Sequence, residues 1–130
     1  MRSKEAYHDG LMKMRRNVYL GGEIVDRDDP QFSPGIHCID LTFDLAKDPQ
    51  YDGLMTVPSH LTGQKVNRFC HLHRSTEDLL KKQEMTRLYC QNTGSCIGRC
   101  MGTDAVNALS VATHEMDTAL GTEYHNRFLK

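Results

Sequence analysis

The sequence has no apolar run approaching the roughly 20 residues a bilayer-spanning helix needs, so a membrane role is not expected. Its opening residues, Met1-Arg2-Ser3-Lys4-Glu5, lack the apolar core of a secretory signal, which points to a cytoplasmic protein. Neither sign of charge is in excess. With 16 Lys and Arg against 17 Asp and Glu, nothing in the electrostatics selects nucleic acid or an anionic lipid surface as a partner. Internal repeats, low-complexity segments and interdomain linkers are missing too, so the 130 residues read as one domain with a modest core.

Three further absences bear on chemistry. Gly21-Gly22 is not followed by the helix and lysine of a phosphate-binding loop. No Ser/His/Asp set is recognisable, since chain order does not fix the geometry of such groups. The five cysteines, Cys38, Cys70, Cys90, Cys96 and Cys100, are an odd number in a chain without a secretion signal. Ligand, redox or buried-thiol roles are therefore expected in place of a disulfide framework.

What is present is mainly helical. Ser3 caps a helix to about Met14, with Tyr7, Leu11 and Met14 on a narrow apolar face that must dock on something. Asn17 to Leu20 and Glu23 to Val25 are β-prone runs joined by a glycine pair, the signature of a tight hairpin. Asp26 to Pro30 is a loop, and Ser33-Pro34 supplies a cap and first-turn proline for a helix through about Ala46, with Ile36, Ile39 and Phe43 as its buried stripe. After a turn at Asp48 to Gly53, Leu54 to Val57 and Val66 to Leu72 are expected to be extended.

Ser75-Thr76-Glu77-Asp78 starts a helix carrying Leu79, Leu80, Met85 and Leu88 to about Gln91. A second helix, starting near Thr93 or Ser95, carries Ile97, Met101, Ala105, Ala108, Ala112, Met116 and Leu120 at three- and four-residue steps. Gly121 is placed to cap it. Tyr124 to Lys130 looks like the opening of another helix that stops, which suggests a truncated chain or one continued by a partner.

The candidate chemistry centres on Ser95-Cys96-Ile97-Gly98-Arg99-Cys100. Two cysteines four apart on a helix stack on one face, at a spacing that suits two corners of an iron-sulfur cluster or two ligand positions of a zinc ion. Residue types alone leave that metal reading beside a plainer one, in which both are small buried helix residues. Cys70-His71-Leu72-His73 could complete a zinc tetrahedron with Cys96 and Cys100, although this spacing matches no zinc-finger pattern. Arg87 and Arg99 flank the cysteines; they could hold an anionic cofactor or substrate group, or serve as surface and interhelical ion-pair residues.

Several stretches carry a resemblance to a known family. They are Asn17 to Glu23, Ala46 to Tyr51, Asn67-Arg68-Phe69, Leu72 to Leu79, Ser95-Cys96 through Arg99-Cys100, and Gly121 to His125. Together they resemble the N-terminal segment of the 4-hydroxybutyryl-CoA dehydratase/vinylacetyl-CoA Δ-isomerase family, within the 4-hydroxyphenylacetate 3-hydroxylase superfamily. The resemblance implies the helical N-terminal domain of an acyl-CoA-dehydrogenase-like fold with a small β-hairpin, part of a longer or split subunit in a homo-oligomer, a tetramer in the family.

It implies FAD and a 4Fe-4S cluster as cofactors and an acyl-CoA as substrate. Cys96 and Cys100 are implied as cluster ligands, with a histidine and a third cysteine supplied by the remainder of the subunit or a companion chain. Arg87 matches an arginine of the active-site surroundings, and Arg99 is assigned to cofactor binding. The implied reaction is a radical dehydration to crotonyl-CoA, in which flavin takes an electron and cluster iron acts as a Lewis acid at the leaving hydroxyl. Gly98 stands where the family is expected to carry a glutamine, and Cys70 and His71 are unlike the usual residues. Two alternatives come from other classes, a non-enzymatic zinc-binding or assembly module and part of a flavin-dependent aromatic hydroxylase.

Overall fold

A computed structural model describes residues 1–94 and 99–130. Ser3 accepts from the Ala6 amide and starts α1 (Lys4–Met12), which ends two residues before the expected boundary. The helix docks on α2 (Ser33–Lys47), as its narrow apolar face requires. Tyr7 meets the Phe43 ring at 5.5 Å, while Lys4 and His8 bind Asp44 and Asp40 at 2.8 and 2.6 Å.

Between these helices lies the expected hairpin, β1 (Val18–Leu20) antiparallel to β2 (Glu23–Val25). Both turn glycines have positive φ, 59° at Gly21 and 93° at Gly22, a conformation that would strain most side chains. Ser33 is not the cap of α2 but its first residue. Pro30–Phe32 form a 3-10 turn, capped by Asp29, that runs straight into it, so the capping side chain falls four residues earlier than expected.

The expected extended segment at 54–57 is half helix. A short α3 (Asp52–Met55) precedes β3 (Thr56–Pro58), which pairs antiparallel with β4 (Lys65–Asn67). Residues 68–70 then turn into a 3-10 helix because the Asn67 side chain accepts from the Phe69 amide, drawing the backbone out of the strand. α4 (Thr76–Thr93) carries a complete capping box, with Ser75 and Asp78 reciprocally bonded, and ends at Gly94 with φ 68°. α5 is described over Arg99–Leu120, and α6 (Tyr124–Phe128) packs beside its end. Gly121 caps α5 as expected, its amide donating to the Asp117 carbonyl at 2.9 Å.

The core joins Leu45 and Ala46 of α2, Met55 of α3, Phe69, and Met85 and Tyr89 of α4. Ile36 and Ile39 are only half-buried; the C-terminal half of α2 is what enters the core. In α4 Met85 and Tyr89 are buried, whereas Leu79 and Leu80 face outward. Burial pushes the Tyr89 phenol up to about 12, and it donates to the Cys38 carbonyl at 2.7 Å. Met85 has no exposed surface. Met85→Ala is expected to cost about 2–5 kcal/mol from lost burial and the cavity left behind, read as a lower urea midpoint.

Candidate functional site

The cysteine region sits where α4 hands over to α5. Cys96 lies outside the described residues, as do Ser95, Ile97 and Gly98. Cys100 is in the first described turn of α5 and, like Cys90 of α4, packs half-buried against the core cluster. Apolar neighbours of this kind lower solvent access at a sulfur, a setting that suits a soft metal centre. Of the expected ligand pair only Cys100 is among the described residues, and a cysteine sulfur is the donor type that such a cluster takes. Among the described residues no group of three His, Cys, Asp or Glu converges to hold a metal ion, so the proposed zinc tetrahedron is not assembled there.

Arg99 turns inward. Its guanidinium stacks over the Phe43 ring at 5.0 Å and the Phe69 ring at 5.4 Å, and Nη1 donates to Thr42 Oγ1. This ties the start of α5 to α2. Arg87 is exposed on α4 and among the described residues makes no ion pair. The two arginines differ in setting: Arg99 joins two elements, and Arg87 is exposed.

Below this region a polar cluster locks the chain from Arg68 to Asp78 in place. Arg68 is buried and donates to the Leu54, Gly53 and Thr56 carbonyls at 2.7, 3.2 and 3.4 Å. Asp78 accepts from the Arg74 and Ser75 amides at 2.9 and 3.1 Å, the Ser75 hydroxyl at 3.0 Å and His71 Nε2 at 3.2 Å. Burial opposes the charge on Asp78, but these bonds hold its carboxyl below the usual carboxylate range. Because that carboxylate can only accept, His71 carries its proton on Nε2. From α5, Asn107 clamps the segment, donating to the His71 carbonyl at 3.1 Å and accepting from the His73 amide at 2.7 Å.

His71 and His73 belong to this lock. Burial holds both below their ordinary value of 6.5; Asp78 pulls each upward without overcoming it, while Arg68 pushes both down and Lys82 also lowers His73. The unfolded chain therefore binds more protons near neutrality. The stability they contribute is present above pH 6.5 and is lost as pH falls through the folded-state values. We expect a lower melting temperature at about pH 5.5 than at about pH 7.5, and a flatter dependence in His73→Gln.

The chain also forms an open cleft of about 740 Å³ that sequence reading missed. His60, His73, His114 and His125 line it, the last two with ring centroids 5.4 Å apart. His125 Nδ1 lies 3.0 Å from the Thr113 hydroxyl. No local spacing signals this group, because the histidines come from a strand connection, a loop and two helices.

Residues 3–130 match the family model described as 4-hydroxyphenylacetate 3-hydroxylase N terminal. The chain belongs to this family. It is 47% identical over 126 residues to 4-hydroxybutyryl-CoA dehydratase/vinylacetyl-CoA-Δ-isomerase from Clostridium aminobutyricum, across 95% of this chain. A solved structure described as an oxygen-tolerant archaeal 4-hydroxybutyryl-CoA dehydratase from N. maritimus superposes with a TM-score of 0.90 at 43% identity, over 98% of this chain. The match covers 26% of each relative, so this chain spans about a quarter of their length. Its mainly helical fold with a small hairpin is the expected one, and among the described residues no helix is long and apolar enough to cross a membrane.

Proposed function

We propose that this chain is the N-terminal part of a flavin and iron-sulfur 4-hydroxybutyryl-CoA dehydratase with vinylacetyl-CoA isomerase activity. The observation that carries this is the 47% identity to the clostridial dehydratase/isomerase, sustained over 95% of the chain. Cys96 and Cys100 would each give a thiolate to a 4Fe-4S cluster, and the remaining ligands would come from polypeptide beyond these residues. When bound, the cluster supplies a Lewis-acidic iron and FAD supplies one-electron chemistry.

The chain's own residues position and shield. The Arg99–Phe43–Phe69 stack fixes α5 against α2, so Cys100 is held half-buried at the edge of the apolar core. Arg99 is proposed to reach an anionic cofactor group through donors that Thr42 does not take. Arg87, an exposed guanidinium, is proposed to orient the acyl-CoA substrate by charge-assisted hydrogen bonds. In the assembled enzyme, Arg87→Ala is expected to lower kcat/KM on the order of 10²-fold, with Arg87→Lys recovering part of the loss.

Anaerobic co-purification with the downstream polypeptide, followed by iron, sulfide, zinc and flavin analysis, tests the assignment. A brown, oxygen-sensitive complex containing flavin and about four irons per subunit is the expected result. Stoichiometric zinc without iron would overturn it in favour of a zinc-binding module.

A further inference from the structure

α5 is amphipathic in the inverse sense. The face it turns toward the rest of this chain is polar: Thr103, Asn107, Ser110, Thr113 and Asp117 are buried or half-buried. Their partners lie within the chain. Thr103 donates to the Phe69 carbonyl at 2.7 Å, Asn107 clamps residues 71 and 73, and Asp117 accepts from the Tyr124 and His125 amides at 2.8 and 2.9 Å.

The apolar face points away. Met101, Leu109, Met116 and Leu120 are 67%, 52%, 43% and 68% exposed. At 100° per residue they fall, with Ala105, Ala108 and Ala112, in an arc of about 120°. Alternating large and small residues make ridges and hollows, and the alanines let a partner backbone approach to about 8–10 Å. One hollow runs on to α4, where Leu79, Ala108 and Val111 line a groove of about 310 Å³. Covering such a stripe with a partner removes apolar surface from water, which favours docking.

We propose that this face is a docking surface for an amphipathic helix from the polypeptide that, in the relatives, continues beyond the matched quarter. The inference rests on the functional reading above and adds to it which face makes the contact. Two facts select this occupant: the relatives are about four times longer than the match, and the stripe has the helical period that a second helix would interlock with.

The test uses methionine oxidation by peroxide, because Met101 and Met116 lie on the stripe. This chain is compared with a chimera in which it replaces the matched quarter of the Clostridium aminobutyricum enzyme. In the isolated chain both residues are expected to oxidise rapidly; in the chimera both should slow by at least about tenfold. Leu109→Lys should prevent chimera assembly while leaving the circular dichroism of the isolated chain unchanged. An assembled chimera whose Met101 and Met116 oxidise as fast as in the isolated chain would overturn this inference and leave the functional reading standing. Failure of the unsubstituted chimera to assemble would count against both. Concentration-dependent dimerisation that protects the two methionines in the isolated chain would replace the proposed partner with a second copy.

Discussion

Replacing Cys100 by alanine in the assembled enzyme is expected to strip iron and sulfide from the complex and lower turnover of 4-hydroxybutyryl-CoA by more than about 100-fold. The size follows from comparison, since loss of a group that only supports a metal ligand already costs about 10–100-fold. The fold itself should survive. Cys100 is half-buried at the edge of the core, and shortening it removes one sulfur from that contact, so a structural loss of only about 1 kcal/mol is expected. Iron per subunit, visible absorbance and kcat are the readouts, with circular dichroism as the check on folding. Full iron content and unchanged turnover in Cys100→Ala would remove this residue from the ligand set. Cys96→Ala should behave alike, because the two thiolates are proposed to share one centre.

The second large effect is on stability. Asp78→Ala removes the acceptor shared by two backbone amides, the Ser75 hydroxyl and His71 Nε2, and takes from the Arg68 guanidinium its ion-pair partner at 3.8 Å, leaving Glu77 and Glu84 as its remaining negative neighbours. Arg68 is buried, so its charge cannot be resolvated without opening the structure. Losing one partner of such a pair costs about 3–5 kcal/mol, and loss of the capping box adds about 1 kcal/mol. Urea unfolding should show a sharply lower midpoint with an unchanged slope. Asp78→Asn should cost less, because an amide oxygen still accepts from part of the cap. If Asp78→Ala unfolds within about 0.5 kcal/mol of the parent, the cluster does not lock the segment as described.

These two predictions differ in how far the sequence reveals them. Ser75 and Asp78 lie three residues apart in one local motif, and the capping box follows from their spacing. That Asp78 also serves Arg68 and His71 does not follow, because it depends on a 3-10 turn that brings residues 68–71 back onto the start of α4. Arg99 shows the same limit. Its place beside Cys100 suggests a cofactor contact, yet the rings that receive its guanidinium lie on α2 and on the segment after β4, far away in the chain.

The sequence by itself determined the local geometry: the caps at Ser3, Ser75 and Gly121, the positive-φ glycine turn at 21–22, the helical repeat of α5, and the cysteine pair four residues apart. Each rests on interactions within a few residues, where propensity and hydrogen-bond chemistry decide. The tertiary structure alone decided which side of α5 faces inward and that four histidines line one cleft. Periodicity gives a helix an apolar side but does not say what covers it. Here polar bonds from Thr103, Asn107 and Asp117 hold the opposite face against the chain, and the apolar side is left for a partner.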